Sequence, residues 1–243
     1  MGTITFPGKI SLSLLLDPDK INENELPDIL DVATRCRVDF IMAGGSITFN
    51  SVDNLIHLIK ESCRIPVILF PGNLLQLSRE ADKILLLSLI SGRNPELLIG
   101  NHVIAAPYLK NLRDKLISVG YILISCGPRT SVEYISQTEA IPGDKPDIAV
   151  ATAMAGEMLG LNMIYLEAGS GALSTVPVSL INAVRENISV PLAVGGGIQT
   201  RNDVEIIYKA GANLIVLGNG CEKNPALLAD ACSARDKIRL LSE

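Results

Sequence analysis

The chain has no tryptophan, and aromatic residues make up only 4% of it, so few flat side chains are available for bases to stack on. With a formal net charge of −5 and a pI near 5.2, it also lacks the positive field that draws a polyanion. Nucleic acid is therefore not an expected partner. The same charge argues against broad electrostatic adhesion to an anionic membrane, while leaving room for an apolar patch that touches lipid. Apolar runs such as Ile84-Leu-Leu-Leu-Ser-Leu-Ile90 fall far short of the ~20 residues of a membrane span. Met1-Gly-Thr-Ile-Thr-Phe-Pro7 lacks the basic start and apolar core of an export signal, so a soluble, cytoplasmic protein is expected. The five cysteines (Cys36, Cys63, Cys126, Cys221 and Cys232) form no CxxC and no metal-like grouping, and are expected to be reduced. Only two histidines occur, His57 and His102, and neither has a sequence neighbour that points to a catalytic triad.

A length of 243 residues with 48% hydrophobic content suffices for one sizeable core, and a single domain over 1–243 is expected. Apolar runs bounded by Gly, Pro, Asn and Asp give strand candidates at 10–16, 38–43, 66–70, 83–90, 120–125, 162–167, 191–195 and 213–217. Helical segments at 25–37, 52–62, 95–116, 178–187 and 201–210 fall between most of them. Eight alternating units predict parallel strands covered by helices, as a closed (β/α)8 barrel or, as runner-up, an open doubly wound sheet. The rhythm breaks twice. The gap from Pro71 to Lys83 is too short for a full crossover helix, so the third helix is short or absent. The segment 127–160 is long, and reads as an ordered loop over the active face followed by an Ala-rich helix at 148–159.

Three late strands end in glycines: Tyr165-Leu-Glu-Ala-Gly-Ser-Gly171, Val194-Gly-Gly-Gly-Ile198 and Val216-Leu-Gly-Asn-Gly220. Backbone N–H groups bared in this way bind phosphate oxygens, with the Ser170 and Thr200 hydroxyls as candidate additions; the alternative is that the glycines serve tight turns only. In barrels such phosphate sites form after strands seven and eight, which favours the barrel over the open sheet, whose glycine fingerprint follows its first strand.

Five further side chains are candidates for chemistry. Asp17, at the end of the first strand, is a hard oxygen ligand that could share Mg²⁺ with the Ser46 hydroxyl, or else a turn residue before Pro18. Glu167 sits between apolar neighbours, so desolvation should raise its pKa and suit it to accept a proton, with Tyr165 oriented to the same side. The alternative is a core carboxylate paired to a cation. Arg93, after the fourth strand, suits a diphosphate if it is not simply solvated.

Taken in order, Asp17-Pro-Asp-Lys20, Ala43-Gly-Gly-Ser46, Phe70-Pro-Gly72, Ser91-Gly-Arg-Asn-Pro95, the Tyr165 to Ala172 run, Val194-Gly-Gly-Gly-Ile198 and Gly218-Asn219 make the chain resemble the geranylgeranylglyceryl phosphate synthase family. The length and the segment 127–160 look like its longer, group II-like subgroup. The resemblance implies a modified TIM barrel with its third helix replaced, and a prenyltransferase that joins a polyprenyl diphosphate, such as geranylgeranyl diphosphate, to the 3-hydroxyl of sn-glycerol 1-phosphate in ether phospholipid biosynthesis. It implies Mg²⁺ held by Asp17 and Ser46, and Glu167 as the base with Tyr165 beside it. Glycerol 1-phosphate is expected on Tyr165, Leu166, Glu167, Ala168, Gly169, Ser170 and Gly171, on Gly195, Gly196 and Gly197, and on Gly218 and Asn219. Leu15 stands where some members of the family carry lysine, which leaves Lys20 or Arg93 for the diphosphate. A homo-oligomer, dimer or hexamer, is implied, with transient membrane contact for product release. The competing readings are another phosphate-handling barrel, of the indole-glycerol phosphate or flavin-dependent kind, and a catalytically silent lipid- or phosphate-binding barrel.

Overall fold

In a computed structural model, residues 10–218, 220, 221, 224 and 226–242 are described. Nine parallel strands are β1 (Ser11–Leu16), β2 (Phe40–Ala43), β3 (Val67–Leu69), β4 (Lys83–Leu89), β5 (Leu116–Ser125), β6 (Ile141–Pro142), β7 (Met163–Glu167), β8 (Leu192–Gly195) and β9 (Leu214–Leu217). All but β6 form a closed ring: β1 pairs with β2 and β9, β4 pairs with β5, and β5 pairs with β7. The two-residue β6 adds only to the end of β5. This is the expected (β/α)8 barrel.

The helices are α1 (Leu26–Arg35), α2 (Val52–Ser62), α3 (Asn101–Leu109), α4 (Ser131–Ser136), α5 (Pro146–Met158), α6 (Val178–Asn187), α7 (Arg201–Lys209) and α8 (Ala226–Ser242). Between β3 and β4 there is only a single 3-10 turn, Leu74–Gln76, so the third helix is indeed replaced. The predicted helix over 95–116 is a correction. It divides into a π-helical turn at Glu96–Gly100, α3 and a 3-10 segment at Lys110–Lys115, with Pro107, which has no N–H to donate, inside α3. Its last residue belongs to β5, which starts at Leu116 rather than near 120 because Ile84 to Leu89 of β4 pair with Leu116 to Tyr121.

Side chains alternate in and out along each strand. On β1, Leu12, Leu14 and Leu16 pack outward in the layer beneath the helices, whereas Leu15 joins Met42, Ile68, Leu85, Val119, Tyr121, Met163 and Tyr165 inside the barrel. The same alternation aims Asp17 and Glu167, at the C-terminal ends of β1 and β7, at one mouth. Among the described residues no helix is long and apolar enough to cross a membrane.

Candidate active site

A cavity of about 780 Å³ opens at the C-terminal ends of the strands. Its charged lining residues are Asp17, Lys20, Arg129 and Glu167. Glu167 is inward because β7 presents Met163, Tyr165 and Glu167 to the axis, and only 7% of its surface is exposed. Burial pushes its carboxyl up to about 7, although the Gly169 N–H and the phenols of Tyr165 and Tyr121 oppose the shift. The Gly169 N–H donates to Oε1 at 2.7 Å, which fixes the carboxylate. Burial and the Glu167 charge hold the Tyr165 and Tyr121 hydroxyls well above the usual phenol range, so both stay protonated. The Tyr165 hydroxyl is buried and, although close to Glu167, has no partner in hydrogen-bonding geometry. It is a donor held in reserve.

At two of the predicted phosphate glycines a side chain is excluded by the acid and the phenol. A methyl group on Gly195 would lie 2.2 Å from the Tyr165 hydroxyl and 3.0 Å from Glu167 Oε2, and one on Gly196, at φ +83°, would lie 2.5 Å from Oε1. These positions are bare to make room for the acid and the phenol. Gly171 and Gly218 differ: each lines the cavity, and an added Cβ would meet no protein atom closer than 3.8 Å. There the space faces the cavity. Gly169, Ser170, Gly196 and Gly197 also line it.

The remaining predicted residues divide. Leu166 and Ala168 point outward into the layer beneath the helices, so they can contribute backbone only, and the Ala168 N–H is already donated to Gly195 O at 2.9 Å. The Thr200 hydroxyl caps α7 by accepting the Asp203 N–H at 3.1 Å, and Thr200 is not among the residues that line the cavity. Arg93 folds back on its own loop, donating to Ile90 O at 3.1 Å and Gly92 O at 2.8 Å, and does not line the cavity. Asn219 lies outside the described residues. His57 is exposed and pairs with Glu61, while half-buried His102 lies 3.5 Å from Ser88 Oγ with its Nδ1 unpartnered.

Asp17 and Ser46 line the same cavity, and Gly45 lies tight against the Asp17 carboxylate. Oδ1 of Asp17 accepts the Asp19 N–H at 3.1 Å, and Oδ2 pairs with Lys20 at 3.0 Å. The described residues contain no cluster of three or more His, Cys, Asp or Glu able to hold a metal. A lone carboxylate and a hydroxyl that line one cavity fit Mg²⁺ that takes its other ligands from water and substrate phosphates, and do not fit a resident, fully protein-ligated ion.

Two features went unforeseen. Tyr121 is paired with Tyr165 in the β5–β7 register, and with Phe70 the two phenols form an aromatic group with ring centroids 5.2 to 5.9 Å apart. Arg129 reaches the cavity from the segment that the sequence places over the active face. That segment is built around α4, whose capping box joins Thr130 and Glu133, and whose Thr130 packs on Gly169. A second cavity, about 260 Å³, adjoins the first, sharing Ser46, Phe70, Tyr121 and Ile135 with it. Its deeper walls are apolar, among them Leu74, Leu77, Leu97, Ala105 and Leu109.

A closed barrel with a buried acid and a glycine-lined pocket after its last strands defines a phosphate-handling TIM-barrel enzyme. The sequence matches the PcrB family over residues 10–235. It is 47% identical over 225 residues to a geranylgeranylglyceryl phosphate synthase of Chitinophaga pinensis, covering 92% of this chain and 89% of that one. Against the enzyme of the same name from Spirosoma linguale it is 48% identical over 222 residues, with 91% and 89% covered. The crystal structure of (S)-3-O-geranylgeranylglyceryl phosphate synthase from Thermoplasma acidophilum, in complex with substrate sn-glycerol-1-phosphate, is similar with a TM-score of 0.87 and 31% identity, over 95% of this chain and 94% of that one. The chain belongs to the PcrB family, among the geranylgeranylglyceryl phosphate synthases.

Proposed function

We propose that the protein is a prenyltransferase that joins a polyprenyl diphosphate to the 3-hydroxyl of sn-glycerol 1-phosphate and releases diphosphate. The observation that carries this reading is Glu167, a buried carboxyl raised to about 7 that lines a glycine-rich cavity, to which an apolar cavity is joined. Gly171, Ser170, Gly197 and Gly218 bind the phosphate of the acceptor, which brings its 3-hydroxyl towards Glu167. The carboxylate takes the hydroxyl proton as the oxygen forms its bond to the allylic carbon, and the carbon–diphosphate bond breaks with its electron pair leaving on the diphosphate. The Gly169 N–H holds the carboxylate in place, and the Tyr165 and Tyr121 phenols beside it stay protonated as donors. The faces of Phe70, Tyr121 and Tyr165 favour the cationic character that the allylic carbon gains. Lys20 and Arg129 neutralise the diphosphate, and the chain of the donor occupies the groove below Tyr121. Mg²⁺, when bound at Asp17 and Ser46, would supply further charge stabilisation to the leaving diphosphate.

A homo-oligomer and cytoplasmic residence belong to the same proposal; the former is supported by Ile99, Val103 and Ile104, which stand exposed around the start of α3. The test is transfer from geranylgeranyl diphosphate to sn-glycerol 1-phosphate, with sn-glycerol 3-phosphate and a chelator as controls. Ether product from the 1-phosphate alone, lost on chelation, is expected. Tight phosphate binding without product at any prenyl length would instead favour the silent barrel.

A further inference from the structure

Large apolar side chains crowd the same mouth that admits the substrates. Ile47, Tyr134, Ile135 and Leu173 are exposed yet line the cavity, and just outside them stand Phe49, 93% exposed, and Leu75, 98% exposed. They are held outward by hydrogen-bonded turns. The Phe49 and Asn50 N–H groups both donate to the Asp19 carboxylate at 2.7 to 3.0 Å, and the Leu75 N–H donates to Asn73 Oδ1 at 2.9 Å. Tyr134 stands on α4, with the Arg129 guanidinium 5.7 Å from its ring centroid. The loops that carry most of this rim, 44–51, 70–78 and 168–177, contain no Asp, Glu, Lys or Arg, and neither does the neighbouring loop 196–200. Charge at this mouth is carried by Asp17, Asp19 and Lys20 and by Arg129 and Glu133, while in a chain that is 19% charged the four uncharged loops present a surface with little ionic desolvation to overcome.

We infer that this rim docks on the surface of a lipid bilayer, with Phe49 and Leu75 as the inserted side chains; the inference rests on the proposed prenyl transfer, whose donor and product carry a long apolar chain. A rigid protein partner or a second copy of the chain seated on Ile47, Tyr134, Ile135 and Leu173 would cover the cavity mouth. A fluid headgroup layer would not, and an amphiphile can pass laterally between it and the groove. Aromatic and aliphatic side chains, several of them on uncharged loops, match that interface, and their burial needs no anionic lipid.

Because the chain has no tryptophan, Phe49→Trp introduces a single fluorophore, and Leu159→Trp places one at the opposite end of the barrel, after α5. With phosphatidylcholine vesicles, the emission of Phe49→Trp should move to the blue and that of Leu159→Trp should not. No shift in either, or the same shift in both, would overturn the docking surface. In a flotation assay, Phe49→Ser combined with Leu75→Ser should lower vesicle partition by about tenfold or more, through the loss of two large apolar contacts. Unchanged flotation, or a change in molecular mass by light scattering that reveals a second copy on this rim, would count against it. Turnover with detergent-dispersed donor should be the same in wild type and double variant. Because flotation and fluorescence read the rim without chemistry, a failure of prenyl transfer and a failure of docking give separate results.

Discussion

The two ends of the barrel treat a carboxylate in opposite ways. At the N-terminal end Asp39 accepts the Leu12 N–H at 2.9 Å, Arg235 at 2.9 Å and Arg239 at 2.7 Å, and Arg235, itself fully buried, also donates to the Cys36 and Arg37 carbonyls. Tyr208 closes the same end by donating to Ser11 O at 2.8 Å. At the C-terminal end Glu167 has one backbone donor and two phenols close by, and its carboxyl rises to about 7. One end is fully paired and ties α8 to β1 and β2. The other leaves an acid and a phenol under-satisfied in a cavity, which costs stability and keeps a proton acceptor poised near neutral pH. The lesson is that the half-buried carboxylate held by two guanidinium groups is structural, whereas the buried one without a cationic partner is the working acid.

Substitutions should separate the two ends. Glu167→Gln is expected to lower turnover by about 10²- to 10⁴-fold, the usual contribution of a positioned base. Its folding should survive, because an amide is less costly to bury than a carboxylate. Urea denaturation across a pH series sharpens this. Since the Glu167 carboxyl is raised, the native chain keeps a proton that the unfolded chain has released, so stability should fall as pH rises from the ordinary carboxylate range towards about 7. That part of the slope should vanish in Glu167→Gln. Arg235→Met should do the reverse, costing about 1–3 kcal/mol because half-buried Asp39 keeps Arg239 but loses Arg235, and the Cys36 and Arg37 carbonyls lose their donor, with turnover per folded molecule unchanged. A fall in specific activity equal to that of Glu167→Gln would break the comparison.

Smaller effects test the glycines and the cap. Gly195→Ala drives a methyl group into the Tyr165 hydroxyl and should cost about 1–3 kcal/mol, read as a lower unfolding midpoint, together with turnover. Adding Tyr165→Phe should recover part of the stability and little of the turnover. Thr200→Ala should remove about 1 kcal/mol, the worth of a helix cap, without altering KM for glycerol 1-phosphate, whereas Ser170→Ala should raise that KM. If Thr200→Ala raised KM as strongly, its assignment to the cap alone would be wrong.

Much of this was legible in one dimension because the signals are local. α2 and α6 occupy the predicted 52–62 and 178–187, and the missing third helix shows as a gap too short to hold one. Period-two alternation aims Tyr165 and Glu167 together, and desolvation by apolar neighbours correctly anticipates the raised carboxyl. What was not legible depends on distances between strands. Gly195 and Gly196 look like phosphate glycines in sequence, yet their bareness answers to Tyr165 and Glu167 on the adjacent strand. Tyr121 becomes a site residue only through the register that sets it beside Tyr165. Arg93 and Arg129 are both loop arginines, and only the folded loops show that the first is spent on its own carbonyls and the second faces the cavity. The boundary between α3 and β5 was misplaced because the apolar residues from Leu116 onward continue the helical run without a glycine or proline between them.

The most direct test of the central claim is the pH profile of single-turnover transfer from geranylgeranyl diphosphate to sn-glycerol 1-phosphate, across about pH 5 to 9, where a base of this kind titrates. The rate should rise with pH to a plateau with its midpoint near 7, following the Glu167 carboxylate, and Glu167→Gln should retain only a small rate without that rise. A profile flat through neutral pH in the wild type, or the same midpoint kept in Glu167→Gln, would show that Glu167 is not the group that takes the proton.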